Sequence, residues 1–243
     1  MKKKVMIILL AMFAGMSMMA IEPTNVSVRA ASDYEDDSYD DCDTCVKKFD
    51  FNISGIYFGW GGASINDQYS GMLGATQEVG ILIAAGVEYN FGNKNRLTFG
   101  VGYQAKWYNL KSDYSFVGDD NGNLDIVDFP LEFKKTSSML AVHTFQFPLL
   151  YSKGINKNFE LWAGPIMNWN FYASYKRDYK VDKTHINEST NGIHQRKISF
   201  DVVAGMNFKA IGLYFRYSPQ SVLKDGTGPK IDNRWSLGII AGF

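Results

Sequence analysis

His143, His185 and His194 are the three histidines of this 243-residue chain, and Cys42 and Cys45 its two cysteines. Most of the group chemistry open to the protein runs through these five side chains. A lipid-modifying barrel hydrolase would pair a His with a Ser two residues on, backed by an acid. Here Thr144 and Phe145 follow His143, so the nucleophile is missing at that spacing. His143 also alternates with Phe145, Phe147, Leu149 and Tyr151, which reads as an outward position near an interface. His185 and His194 share a polar stretch with Asp178 and Asp182, an arrangement that could suit proteolysis or a bound metal; loop composition alone accounts for it. Cys42-Asp-Thr-Cys45 in an exported chain suggests a local disulfide. A thioredoxin-like site would need a βαβ context and a zinc site two further ligands. Asp33 to Asp43 holds seven acids but lacks the Gly and terminal Glu of an EF-hand loop, and reads as a solvated leader. The expectation is no catalytic residue, no metal and no cofactor.

The elements that position these residues are strands. Odd positions from Val79 to Phe91 are apolar, and even positions include Glu78, Gly80, Gly86, Glu88 and Asn90. Leu97, Phe99, Val101, Tyr103, Ala105 and Trp107 oppose Arg96, Thr98, Gly100, Gly102, Gln104 and Lys106. Period-2 alternation of this kind predicts strands with two different environments. The pattern gives eight strands at about 49–60, 78–91, 96–112, 139–152, 159–176, 197–208, 211–218 and 234–243. Turns at 92–95, 153–158 and 209–210 are short, and loops at 61–77, 113–138, 177–196 and 219–233 are long. Tyr57, Phe51 and Ile53 are expected on one face of the first strand. Val127, Phe129, Leu131 and Phe133 alternate within the second loop, so the flanking strands are expected to continue upward as a hairpin. Asn191-Gly192 is the turn signal of the third loop.

Short turns on one side and long loops on the other are the pattern of periplasmic turns and extracellular loops. A soluble barrel would place its apolar face inward and charge outside. Here the apolar faces are long and nearly uncharged, and the opposing faces carry glycine and charge, which suits a lumen. Tyr and Trp near the strand ends suit interfacial girdles. The fold class expected is an all-β, eight-stranded antiparallel transmembrane β-barrel over 47–243. A basic stretch, Lys2 to Lys4, and an apolar run, Val5 to Ala14, give a signal peptide over 1–20. An acidic periplasmic leader fills 21–46. The 25 cations balance the 25 anions, and loss of Lys2, Lys3 and Lys4 leaves a net charge of about −3. No basic field exists for nucleic acid.

Glu88, Lys106, Asp201, Arg216 and Arg234 fall on the expected lumen faces. Eight strands leave an interior just wide enough for side chains to fill, so these charges are expected to form a structural ion network. Within it an Asp201–Arg216–Arg234 cluster is expected. Tyr108, Trp162, Tyr172 and Tyr214 should add bulk to the lumen.

Two resemblances follow. The last ten residues, Arg234 to Phe243, alternate and stop on an aromatic. They resemble the closing strand of bacterial outer-membrane barrels, whose terminal aromatic is associated with the barrel-assembly machinery; that resemblance implies an assembly signal at Phe243. Gln146-Phe147-Pro148-Leu149-Leu150-Tyr151 and Phe159 to Pro165, ending Ala163-Gly164-Pro165, resemble the PorT-like outer-membrane β-barrel group common in Bacteroidetes. Phe147 stands where that group often has Ile. The resemblance implies a fold and an outer-membrane location, with outer-membrane lipid as surroundings, and brings no catalytic residues. The expected role is non-enzymatic, a structural or surface-interaction protein with an unidentified surface ligand, or alternatively a transport or secretion-accessory component with an unidentified secretion partner.

Overall fold

In the computed structural model, residues 49–87, 95–130, 132–156 and 158–242 are described. Eleven strands form in them. They are β1 (Phe49–Ile65), β2 (Leu73–Val87), β3 (Asn95–Leu110), β4 (Tyr114–Gly118), β5 (Leu124–Asp128) and β6 (Lys134–Gly154). β7 (Phe159–Val181), β8 (Thr184–Asn191), β9 (Ile198–Phe208), β10 (Ile211–Ser218) and β11 (Ile231–Ala241) complete the set. Eight of them close a ring in the order β6-β3-β2-β1-β11-β10-β9-β7, with β7 pairing back onto β6, and every pairing is antiparallel. The expected eight-stranded barrel is therefore the observed fold.

Alternation sorts the side chains between two environments. Burial along β10 alternates at every residue from Ile211 to Ser218. Ile198, Phe200, Val202, Met206 and Phe208 on β9, and Leu213 and Phe215 on β10, are exposed on the outside. Such a contiguous apolar surface is far larger than a soluble monomer tolerates. The eleven residues of β9, at about 3.3 Å each and tilted by about 40°, rise about 25–30 Å, which matches the apolar band of a transmembrane barrel.

The interior is layered. Near the short turns Tyr57, Leu150, Trp162, Ile166, Val203, Tyr214 and Ile240 form an apolar cluster. Glycines make room for its large rings: a Cβ on Gly80 would overlap the Tyr57 ring, and one on Gly205 would overlap Trp162. A polar belt follows. Above it a second apolar cluster joins Tyr108, Leu110, Leu140 and Tyr175 of the barrel wall to Phe116, Leu124 and Ile126 of β4 and β5, and to Ile193, Val222 and Leu223.

Several expectations need correction. The segment 113–138 does not form a tall hairpin of β3 with β6: β3 ends at Leu110, and β6, which starts at Lys134, pairs above Met139 with β7 and not with β3. β4 and β5 pair only with each other and turn at Asp119, whose carboxylate accepts from the backbone N–H groups of Asn121 and Asn123. Burial of Phe116, Leu124 and Ile126 draws this hairpin down onto the barrel mouth. The third-loop hairpin turns at Asp182 and Lys183, with Asp182 at φ 53°, and Asn191-Gly192 instead ends β8. The first long loop shrinks to 66–72, because β1 and β2 run further than the alternation showed. Tyr57 points inward, because β1 carries a bulge between Asn52 and Gly55 that resets its alternation; Gly55 sits at φ 120°. Tyr172 faces outward for the same kind of reason. The register slips where His143 pairs with Tyr172 but Thr144 pairs with Asn170, so Phe171 is the extra residue.

Candidate functional site

Strand pairing builds the polar belt from its cross-strand neighbours. Glu78 on β2 lies directly opposite Lys106 on β3, and the two form an ion pair of 2.8 Å. Glu78 is 1% exposed. Its Oε2 also accepts from Gln104 Nε2 at 3.0 Å, and its Oε1 from the Tyr214 hydroxyl at 2.7 Å and the Ser236 hydroxyl at 2.8 Å. Arg216 Nη1 stands 3.9 Å from Glu78 and 4.0 Å from Asp201. The Arg216 guanidinium lies 5.0 Å from the Tyr57 ring centre and 5.7 Å from that of Tyr214, so aromatic faces share the stabilisation of the cation. Tyr57 donates to Gln146, which donates on to Gln104 and Asn168.

Of the expected network, Lys106, Asp201 and Arg216 converge on this belt. Arg234 is buried but donates to the Tyr108 hydroxyl at 2.6 Å and has no ion pair within 4 Å among the described residues. Glu88 and Phe243 lie outside the described residues, as do Cys42, Cys45 and the leader. The centre of the belt is Glu78. The alternation put Glu78 on the inward face without placing it in the network, and the register of β2 on β3 sets it against Lys106.

Among the described residues the lumen is closely packed: the space beside Tyr57 and Arg216 is about 20 Å³ and that between Lys106 and Arg234 about 10 Å³, each room for about one water molecule. Above them the cap is stitched by polar contacts as well as by burial. Phe116 N–H donates to Ser138, Gly118 N–H to the Tyr175 hydroxyl, and Leu124 N–H to Thr227 O; the Tyr69 hydroxyl donates to Asp125.

The histidines do not assemble a nucleophile. His143 is half-buried on the outside of β6, its Nδ1 2.5 Å from the Tyr103 hydroxyl, with its ring against Phe171 and Tyr172. Thr144 points the other way and donates to Asn170 inside. His185 is exposed on β8. His194 is exposed too, and its carbonyl accepts from Lys224 N–H. No group of three His, Cys, Asp or Glu side chains suited to a metal occurs among the described residues.

At the top of β7, Glu188 of β8 accepts from the Tyr179 hydroxyl at 2.7 Å and from Arg177 Nε at 2.5 Å. These contacts, the tyrosine first, hold its carboxyl below the ordinary carboxylate range.

No protein family matches the chain, and no curated protein does. Among solved structures it is similar to Ail, the attachment invasion locus protein of Yersinia pestis, at 14% identity and a TM-score of 0.32, covering 79% of this chain and 99% of that one. Neisserial surface protein A is similar at 14% identity and a TM-score of 0.32, covering 77% of this chain and 96% of that one. A second Ail structure, in complex with the heparin analogue sucrose octasulfate, gives 13% identity and a TM-score of 0.31. The fold assignment rests on the strand ring, the apolar belt and the polar interior described above.

Proposed function

We propose that the chain is an integral outer-membrane protein that acts without catalysis, through the surface its long loops build on the extracellular side. The observation that carries this reading is the sealed interior. The apolar belt suits a bilayer, while among the described residues the packed lumen and the β4–β5 cap leave no solute path. What remains for interaction is the outer surface, with β8 as an edge strand that pairs only with β7 and is mostly exposed. The PorT-like resemblance of 146–165 agrees with this location and supports the second reading, a transport or secretion-accessory component working with a partner. In either case residues 1–20 act as the export signal, and the barrel-assembly machinery inserts the strands.

The experiment is surface proteolysis of intact cells combined with a crosslinked pull-down. Cleavage within 113–133 or 182–192 while the barrel stays heat-modifiable supports the reading. Protection of both segments in intact cells, with cleavage only after the outer membrane is opened, overturns the orientation. Capture of envelope secretion components would favour the second reading over the first.

A further inference from the structure

A groove of about 720 Å³ opens on the outside of the barrel at the top of β9, where β9 ends while β7 continues upward. One wall is Phe171 and Tyr172, the two residues turned outward by the β7 bulge. The other is the segment 194–197, bridged through Gln195 to Leu223 and hydrogen-bonded through Arg196 N–H to Val222 O. Arg196, Lys197 and Lys224 line the groove against a single acid, Asp225, which Arg196 already pairs at 3.2 Å. Lys197 and Lys224 are exposed and make no ion pair among the described residues. The walls are held by backbone ladder bonds, so the cations are presented at fixed height.

That height decides the occupant. Lys197 immediately precedes β9, whose span of about 25–30 Å starts at the turn near Phe208. The groove therefore stands at the outer edge of the apolar band, at headgroup level. Directly below it Trp169 pairs with Ile198, both exposed on the lipid side, so an apolar track runs down from the cations. A soluble anion would have no use for the track, and an uncharged lipid none for the lysines.

We propose that this groove binds the phosphorylated headgroup of an outer-leaflet glycolipid, with Lys197 and Lys224 on the phosphate and an acyl chain along Trp169 and Ile198. The proposal rests on the membrane reading above. It is tested in detergent, where a failure of surface orientation in cells would not affect the result.

The full chain, refolded in dodecylmaltoside, is titrated with diphosphorylated lipid A, with the same lipid after enzymatic removal of its phosphates, and with inorganic pyrophosphate, and binding is read by native mass spectrometry. Saturable binding of the phosphorylated lipid is expected, with the dephosphorylated lipid and pyrophosphate each weaker. Replacing both lysines (Lys197→Ser with Lys224→Ser) should weaken phosphorylated-lipid binding by about 10–30-fold. The same replacement at the exposed lysines of the opposite end, Lys153 and Lys209, should leave it unchanged. Heat-modifiability reports that each variant still folds. Equal binding of the two lipids, equal loss in both lysine pairs, or pyrophosphate binding as tight as the lipid would each overturn the proposal.

Discussion

Replacing Glu78 by Ala tests the polar belt most directly. The carboxylate is 1% exposed and takes an ion pair from Lys106 and hydrogen bonds from Gln104, Tyr214 and Ser236. The hydroxyls of Tyr214 and Ser236 can turn to other acceptors, but the two cations cannot leave. Lys106 is 7% exposed and Arg216 4%, and Asp201 lies 4.0 Å from Arg216 only. Breaking a buried pair by removing one partner costs about 3–5 kcal/mol, because an uncompensated charge stays behind. With a urea dependence of about 2–3 kcal/mol per molar, the unfolding midpoint in lipid vesicles should fall by about 1–2.5 M. Adding Lys106→Met to Glu78→Ala removes one stranded cation with a side chain of similar length. The double variant should recover part of the loss and show a coupling of about 2 kcal/mol in a double-mutant cycle. An unchanged midpoint for Glu78→Ala, or strictly additive single effects, would refute the belt as the determinant of the interior.

Asp201→Ala should cost less than Glu78→Ala, about 1–3 kcal/mol by the same assay, because Arg216 keeps Glu78 and two aromatic faces. Gly205→Leu should abolish the heat-modifiable band by driving a side chain into Trp162 and the Leu213 carbonyl oxygen, and Trp162→Ala should restore only part of it, because the backbone overlap stays. Phe116→Ala should loosen the cap by about 3–5 kcal/mol, seen as faster hydrogen exchange in β4 and β5 with the barrel strands unaffected. The native protein should give no stable conductance steps in planar bilayers; large reproducible steps would mean a wider or multimeric pore. At the top of β7, the folded Glu188 carboxyl titrates below its unfolded value. Its stabilisation is present above about pH 4.3 and is lost as pH falls through the lower folded value, contributing less than about 1 kcal/mol at this exposed site. Proteolysis at 182–184 should therefore quicken in acid for the native protein but not for Glu188→Gln.

Alternation made most of the barrel legible. β9, β10 and β11 each show one uncharged apolar face, and their bounds agree with the pattern to within a few residues. Faces were misread where one extra residue resets the alternation: within Ile53-Ser54 ahead of Tyr57, and at Phe171 before Tyr172. A bulge leaves no periodic signature, because each flanking segment still alternates. The Glu78–Lys106 pair was within reach, since alternation puts both residues on the inward faces of consecutive strands. The place of Arg234 was not, because β10 and β11 are joined by a long loop and nothing local sets their stagger. The cap was missed for another reason. Phe116, Leu124 and Ile126 bury against residues far away in sequence, and alternation reports two faces without saying what covers either.

The seam between β1 and β11 differs in kind from the other joints of the ring. Ile56 pairs with Ala241, and Gly59 with Gly238, across almost the whole described chain, whereas β2–β3, β6–β7, β9–β10 and β10–β11 join strands that are neighbours in sequence or nearly so. The chain-closure entropy of that one joint is the largest, so it is formed after the others. Until then the protein is a curling open sheet with two unpaired edges and a bare apolar side. Gly55, Gly59 and Gly61 line one of those edges, and at Gly55 and Gly61 a Cβ would overlap the Ala241 and Trp235 carbonyls of the incoming strand. The glycines clear the path along which the edges meet, and a larger side chain at Gly55 or Gly61 would weaken the finished wall as well as hinder closure, because its Cβ would still overlap the partner carbonyls there.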